Sequence, residues 1–120
     1  MLSKIRSAAI LGIDAYEVEV ETDIGPGLPG FSLVGLPDAS VKESKDRVRS
    51  AIKNCDRKFP PNRRITINLS PADRKKEGPA FDLPIAVGIM TADEEAIIDC
   101  PFIDDYLITG ELSLDGAVNN

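Results

Sequence analysis

The segment between residues 31 and 69 constrains the fold more than any other part of the sequence. Residues 31–34 have a short apolar strand pattern, a helical pattern follows, and a second strand pattern covers residues 64–69. Two strands joined by one helix with short connections are typical of a βαβ unit, in which the strands pair in parallel. The sequence therefore predicts an α/β (α+β) fold, with a mixed sheet packed against two main helices.

Both helices carry start signals in the sequence. Ser40 and Glu43 have the spacing of a capping box, and Asp38 is an alternative N-cap for the first helix. The second helix, over residues 83–90, is apolar nearly all round and predicts deep packing, with Asp82 as its cap. The first helix has one apolar stripe at helical spacing, which we expect to be buried: Val41, Val48, Ala51, Ile52 and Cys55.

The remaining strands are predicted at the two ends of the chain. Residues 4–10 and 16–21 predict a hairpin, and in the second strand Glu17, Glu19 and Glu21 alternate with apolar residues to give one acidic face. Near the other end, residues 106–108 and 112–114 have strand patterns, and Asp115-Gly116 is a hairpin-turn signal.

The absence of histidine excludes several kinds of site. Ser-His-Asp and Cys-His nucleophiles and most zinc sites need this residue, which the chain lacks. Cys55 and Cys100 match no zinc or redox spacing, so we expect reduced, partly buried thiols and no metal. The loop of residues 25–30 resembles a phosphate-binding loop only in its glycines, because it precedes a strand, contains two prolines and has no lysine.

Two further absences bear on location. No apolar run approaches the roughly 20 residues that a membrane-spanning helix needs. The N-terminus also lacks the apolar core of a secretory signal. We therefore expect a cytoplasmic domain with no membrane partner.

Charge is unevenly distributed along the chain. Residues 42–76 contain twelve basic and four acidic residues, a local charge of +8, whereas the other residues sum to −14. Such segregation indicates an anionic partner such as DNA, although a solvated helix face and two charged loops would give the same pattern. Arg47 and Arg49 also lie in helical register with Glu43 and Asp46, so the alternative for these two arginines is an internal ion pair. The candidates for phosphate contact are Arg47, Arg49, Lys53, Arg63, Arg64, Arg74, Lys75 and Lys76.

The segment from Lys76 to Ala80 has the form of a turn that could hold a nucleophile. Gly78 and Pro79 form a turn directly before the second helix, and a helix N-terminus offers free N–H groups to an anion. A serine or cysteine at position 80 would complete such a site. Because the residue there is Ala80, the sequence predicts no catalysis at this turn.

Four stretches of the chain are similar to the N-terminal domain of Mg-chelatase-like AAA+ proteins of the competence type, the ComM/YifB group. They begin with Gly-Leu-Pro-Gly-Phe-Ser-Leu-Val-Gly-Leu-Pro-Asp at residues 27–38, which continues to residue 51. The others, in the same order, are residues 64–73, 76–86 and 110–116. The resemblance implies a fold like that of the Lon protease domain and domain 2 of ribosomal protein S5.

In the Lon family, a Gly-Pro-Ser turn supplies the nucleophile, and a lysine downstream of a Gly-Glu hairpin activates it. By this resemblance, Gly78, Pro79 and Ala80 are a degenerate nucleophile turn, and the chain ends before the expected lysine. Residues 1–120 are thus expected to be a single Lon-protease-like N-terminal domain, truncated before an AAA+ ATPase module.

The resemblance also implies a function for the longer protein. Family members continue into a module that uses ATP and Mg²⁺, and competence-type members are implicated in recombination as hexameric ring helicases that drive branch migration. The expected role here is a non-catalytic domain without a cofactor of its own, which supports ring assembly and nonspecific DNA contact. The alternatives are an interaction domain of a chelatase-related ATPase, a residual Lon-like hydrolase and a nucleotide-binding domain.

Overall fold

The strand–helix–strand segment folds as predicted in the computed structural model, which describes residues 2–11, 13–93 and 102–119. Strand β3 (Gly30–Val34) pairs in parallel with β4 (Arg64–Ser70). The connection between them contains a short helix α1 (Ala39–Lys42) and the longer α2 (Ser44–Asn54). The βαβ unit inferred from the sequence pattern is therefore confirmed.

The predicted hairpin supplies the other half of the main sheet. Strand β1 (Leu2–Leu11) pairs antiparallel with β2 (Asp14–Gly25), and β2 also pairs antiparallel with β4. The four strands lie in the order β1-β2-β4-β3, a mixed sheet. With its two main helices, the chain has the α+β fold that the sequence predicts.

The second main helix, α3 (Asp82–Ala92), follows a short 3-10 turn (Pro79–Phe81) and packs on β1 and β2. Its residues Ile85 and Ile89 are buried with Val18 and Val20 of β2 and with the inward side chains of β4. A second 3-10 turn (Ile103–Asp105) precedes a small hairpin of β5 (Glu111–Leu112) and β6 (Val118–Asn119).

The face of the sheet opposite the helices is polar. The carboxylates of β2 alternate with buried residues, so that Glu17 and Asp23 are exposed while Val18 and Val20 are fully buried. This confirms the acidic face predicted for the strand. No helix of the described residues is long and apolar enough to cross a membrane.

The structure corrects the predicted start of the first helix. Asp38 is the N-cap, and its Oδ1 accepts a 2.8 Å hydrogen bond from the backbone nitrogen of Val41. The alternative cap is therefore the real one. Ser40 lies within α1, and Glu43, whose backbone is still in the right-handed helical region, separates α1 from α2. The capping-box assignment of Ser40 was wrong.

Two other sequence predictions differ from the structure. Cys55 is exposed at the end of α2, so it does not extend the buried stripe; Cys100 lies outside the described residues. Residues 106–108 form no strand, because Ile108 makes a single backbone hydrogen bond to Arg6 of β1 and no ladder follows. The turn at Asp115-Gly116 is confirmed, with Gly116 at a φ of +95° between β5 and β6.

Candidate functional site

The turn at Gly78, Pro79 and Ala80, which by the sequence resemblance is expected to be a degenerate nucleophile turn, lies directly before α3. Gly78 has a φ of +84°, which favours glycine, and it leads directly into the 3-10 turn and α3. The backbone nitrogen of Gly110 donates to the Ala80 carbonyl at 2.8 Å, and Leu83 donates to the Gly110 carbonyl at 3.0 Å. These two bonds hold the turn against the segment that leads into β5.

A cleft of about 410 Å³ opens beside this turn. Ala80 contributes only a methyl group to the cleft, which has no nucleophilic character. Among the described residues that line the cleft, Thr109 carries the hydroxyl and Glu111 the ionisable group, and no lysine is present. The chain also contains no histidine that could activate a hydroxyl.

Asp82 does not cap α3 as predicted; it is a buried carboxylate bound by other elements. Arg47 of α2 donates to it twice, with Nε 2.7 Å from Oδ2 and Nη2 3.1 Å from Oδ1. The backbone nitrogen of Leu112 in β5 donates to Oδ2 at 3.1 Å, and the Ser44 hydroxyl donates to Oδ1. The side chain of Asp82 is fully buried. One carboxylate therefore joins α2, α3 and β5.

Arg47 is consequently committed to the interior. Its hydrogen bonds to Asp82 raise the pKa of the Arg47 guanidinium. Only 21% of the Arg47 side chain is exposed to solvent. Nη1 lies 3.4 Å from Glu43, the partner that the helical spacing predicted, and Nη2 donates to the Ser40 carbonyl at 3.1 Å. We therefore remove Arg47 from the set of candidate phosphate contacts.

Lys76 is also removed from that set, because it is completely buried. Its ammonium group donates to the Gly35 carbonyl at 2.8 Å and to the Pro71 carbonyl. Burial lowers the pKa of Lys76, and the negative charge of Asp73 offsets part of this effect. The sequence prediction counted Lys76 with the exposed bases since a lysine in a polar loop is normally solvated.

Arg74 and Lys75, which we call the loop group, are exposed on the loop that Lys76 anchors. The guanidinium carbon of Arg74 lies 4.8 Å from the ring centroid of Tyr16, a cation–π contact. The Tyr16 hydroxyl donates to the Lys75 carbonyl at 3.1 Å. The loop is thus fixed from below by Lys76 and from the side by Tyr16, while both cations face outward.

The other four candidates, which we call the edge group, are exposed and belong to α2, to β4 and to the residue before β4: Arg49, Lys53, Arg63 and Arg64. Arg49 lies over two rings, 5.9 Å from the centroid of Phe31 and 5.4 Å from that of Phe59. Those rings stack with centroids 5.9 Å apart. Arg64 donates to the Ser32 hydroxyl of β3 at 2.9 Å.

The two groups are well separated, although their residues form one basic stretch in the sequence. Arg64 begins β4 opposite Gly25, and Ser70 ends it opposite Glu19. Six residues of extended chain span about 20 Å. The sheet therefore divides the stretch into two surfaces. Within the described part of the chain, no three or more Asp, Glu or Cys side chains are grouped as a metal site requires.

Comparison with known proteins identifies the family. The model of one protein family, described as subunit ChlI of Mg-chelatase, matches residues 20–120. The chain belongs to this ChlI family. Among individual relatives, the uncharacterized protein YifB of Escherichia coli (strain K12) is 47% identical over 117 residues, which is 98% of this chain.

Two further relatives in the comparison are from other bacteria. Competence protein ComM of Haemophilus influenzae is 46% identical, and an uncharacterized protein of Mycobacterium tuberculosis (strain H37Rv) is 44% identical, each over 98% of this chain. The chain spans 22% of the length of the E. coli and H. influenzae proteins and 23% of the mycobacterial protein. The similarity to ComM/YifB proteins inferred from the four sequence stretches is thus confirmed.

In this ChlI-family chain, sequence reasoning missed the contacts that join distant segments. Asp82 is 35 residues from Arg47, and Phe31 is 28 residues from Phe59, so no local spacing marks either pair. A signal for Asp82 did exist, since a carboxylate that begins a helix apolar on all sides must itself be buried with a partner. For Phe31, the only sequence signal for its contact with Phe59 was its position in a strand that is followed by a helix.

Proposed function

We propose that this chain is a non-catalytic N-terminal domain of a Mg-chelatase-like AAA+ ATPase and contributes binding to the larger protein. The observation that supports this is the methyl group of Ala80 at the turn where a Lon-type nucleophile would stand. A serine-directed activity probe should leave the chain unlabelled, and labelling would contradict the proposal.

ATP, Mg²⁺ and hydrolysis belong, in this proposal, to an AAA+ module of the same protein. The relatives are more than four times as long as this chain, which leaves room for such a module. The proposal places the protein in the cytoplasm as a homo-oligomeric, hexameric ring, with this domain in contact with the AAA+ module. One relative is named a competence protein, and the proposal assigns the longer protein a role in DNA recombination.

The DNA contact is proposed for the loop group. Arg74 and Lys75 face outward from an anchored loop, and neither makes an ion pair with another described residue. Because the backbone of this loop is already held in place, binding a phosphate requires little ordering of the backbone. The entropy cost of binding is then mainly that of the two basic side chains. Such contacts are independent of base sequence and depend strongly on salt. The same role for the edge group stays a prediction.

The test is a fluorescence anisotropy titration of single- and double-stranded DNA with the chain and with the double variant Arg74→Glu/Lys75→Glu. Two lost phosphate contacts should weaken duplex binding and reduce the slope of log K against log salt by about 2. The double variant Arg57→Glu/Lys58→Glu is the charge-matched control, because both residues are exposed and belong to neither group.

The control separates a local contact from a net-charge effect. We expect the control variant to retain most of the affinity, whereas the loop variant loses it. Equal losses in both variants would show that overall charge is responsible. Unchanged affinity in the loop variant would remove the loop group from the interface.

A further inference from the structure

Strand β3 is one of the two outer strands of the main sheet, and its outer edge is unpaired in the described part of the chain. The backbone nitrogen of Gly30 donates to the Arg63 carbonyl of the β4 side at 3.3 Å. Along a strand, the backbone N–H and C=O groups of successive residues point alternately to one side and to the other. The N–H and C=O groups of Gly30, Ser32 and Val34 therefore point toward β4. Phe31 and Leu33 therefore direct their N–H and C=O groups outward, where an added strand would meet them.

Arginines flank this edge on both faces of the sheet. On the open face, Arg64 crosses β3 at Gly30, where its guanidinium occupies the space that a Cβ would need, and it donates to the Ser32 hydroxyl. On the helix face, Arg49 lies over Phe31 and Phe59. Among the described residues, neither arginine makes an ion pair.

The charges also restrict what can pair with this edge. If a second copy paired its own β3 here, Arg49 and Arg64 of both copies would be brought together. Like charges placed opposite each other in a sheet are destabilising. An edge flanked by cations is protected against self-association and complementary to carboxylates.

We propose that the outer edge of β3 binds an extended acidic segment of a partner protein as an added strand. Successive side chains of a strand point to opposite faces. Two adjacent acidic residues of the partner would therefore place one carboxylate on the open face beside Arg64 and the next on the helix face beside Arg49. The backbone of the partner pairs with Phe31 and Leu33.

DNA is the competing occupant, because phosphates also bind arginines. Phosphate oxygens accept hydrogen bonds, and could satisfy the outward N–H groups of Phe31 and Leu33 but not their carbonyls. A peptide backbone supplies both donors and acceptors, so it satisfies the whole edge. The peptide is the occupant that fits the edge as well as the arginines.

The experiment uses a fluorescein-labelled, terminally blocked peptide, Thr-Val-Glu-Glu-Val-Thr, with the 120-residue chain. Control peptides replace the Glu-Glu pair by Lys-Lys or by Glu-Pro, of which the second lacks a backbone N–H. We expect binding of the acidic peptide alone. Arg49→Gln and Arg64→Gln should each weaken it about tenfold, the range of one charge-assisted contact. The matched variant Arg57→Gln should stay within about twofold of the parent.

Amide hydrogen exchange provides a readout that does not depend on the variants. Added-strand pairing should slow exchange at Phe31 and Leu33 when the peptide is bound. No binding, equal binding of the control peptides, or binding without protection of these amides would overturn the proposal. Tighter binding of single-stranded DNA with the same dependence on Arg49 and Arg64 would assign the edge to nucleic acid. The loop group is not involved, so this test and the DNA test fail independently.

Discussion

At the scale of single residues, two buried charges organise the part of the molecule around the turn at Gly78, Pro79 and Ala80. Asp82 is bound by a guanidinium, a hydroxyl and a backbone N–H, and the Lys76 ammonium is bound by two carbonyls. Hydrogen-bond partners of this kind offset the cost of burying a charge. Both residues lie within four positions of Ala80, so both help to fix the turn.

The two sides of the Arg47–Asp82 pair should respond differently to substitution. Arg47→Met leaves a fully buried carboxylate without its cation, and we expect it to lower the free energy of unfolding by about 3–5 kcal/mol. Asp82→Asn keeps part of the hydrogen bonding and leaves a partly exposed guanidinium, so it should cost less, about 1–3 kcal/mol. Urea denaturation measures both. Arg6→Met, which breaks the exposed pair with Glu17, is the control, and a reversed order would contradict this account.

Lys76 predicts how stability changes in alkaline solution. Since its pKa is lowered in the folded state from the ordinary 10.5, the unfolded chain binds more protons between the lowered value and 10.5. The lysine's contribution to stability should therefore rise with pH across that interval. Urea denaturation of the chain and of Lys76→Met from pH 7 to pH 10.5 should show the difference shifting in favour of lysine. A shift in the opposite direction would indicate a raised pKa.

The sequence predicted residues whose role depends on their immediate neighbours. The turn at Gly78 to Ala80 and the cap at Asp38, as the second choice, follow from local spacing. The roles of Asp82, Lys76 and Phe31 depend on partners between 5 and 41 residues away, which only the folded backbone brings together. For that reason the structure altered the predicted set of phosphate-contacting residues more than it altered the predicted turn.

At the scale of elements, α3 approaches the sheet closely at Gly88. A Cβ at this position would lie 2.6 Å from Oγ1 of Thr22 in β2, and the Thr22 side chain is fully buried. The Ser3 hydroxyl of β1 donates to the Gly88 carbonyl at 2.8 Å. Close packing of the helix on the hairpin thus depends on the missing side chain.

Gly88→Ala should therefore destabilise the chain, although alanine is normally the better helix former. We expect a loss of about 1–3 kcal/mol from the forced shift of α3. In a Thr22→Ala background the obstructing hydroxyl is absent, so the same substitution should cost at least about 1 kcal/mol less. Thermal or urea unfolding of the four proteins gives this coupling. Equal costs in both backgrounds would show that Thr22 is not the obstruction.

Hydrophobic periodicity predicted the elements that form the core. Apolar and polar residues alternate along β2 and β4, whereas α3 is apolar throughout. Both patterns have one physical cause, which is burial of the apolar side chains between the sheet and the helices. The pattern over residues 106–108 was misleading, since Tyr106 and Leu107 are 60% and 56% exposed. A three-residue run is too short to distinguish a strand from an extended segment that lies along β1.

At the scale of the whole molecule, the net charge of −6 opposes any approach to DNA. The acidic face of β2 contributes to this repulsion, and Glu19 and Asp23 lie on it outside both basic groups. A long-range field of this kind acts on association rather than on the fold.

Removing part of that field should strengthen DNA binding without any new contact. We expect Glu19→Gln/Asp23→Asn to raise the affinity severalfold at 0.01 M salt, where the screening length is about 30 Å. At 0.1 M salt this length falls to about 10 Å, and the gain should shrink accordingly. Anisotropy titrations at both salt concentrations test this. A gain that is independent of salt would indicate a local effect of the substitutions.

The burial of Lys76 also has a consequence for chemical labelling. The chain has seven lysines, and Lys75 and Lys76 are adjacent in sequence, yet Lys75 is exposed and Lys76 is completely enclosed. An amine-acylating reagent should modify Lys75 quickly and Lys76 only when the loop opens. The labelling rate of Lys75 is thus an internal reference for exposure to the reagent, and the labelling rate of Lys76 reports how often the loop beside the turn opens.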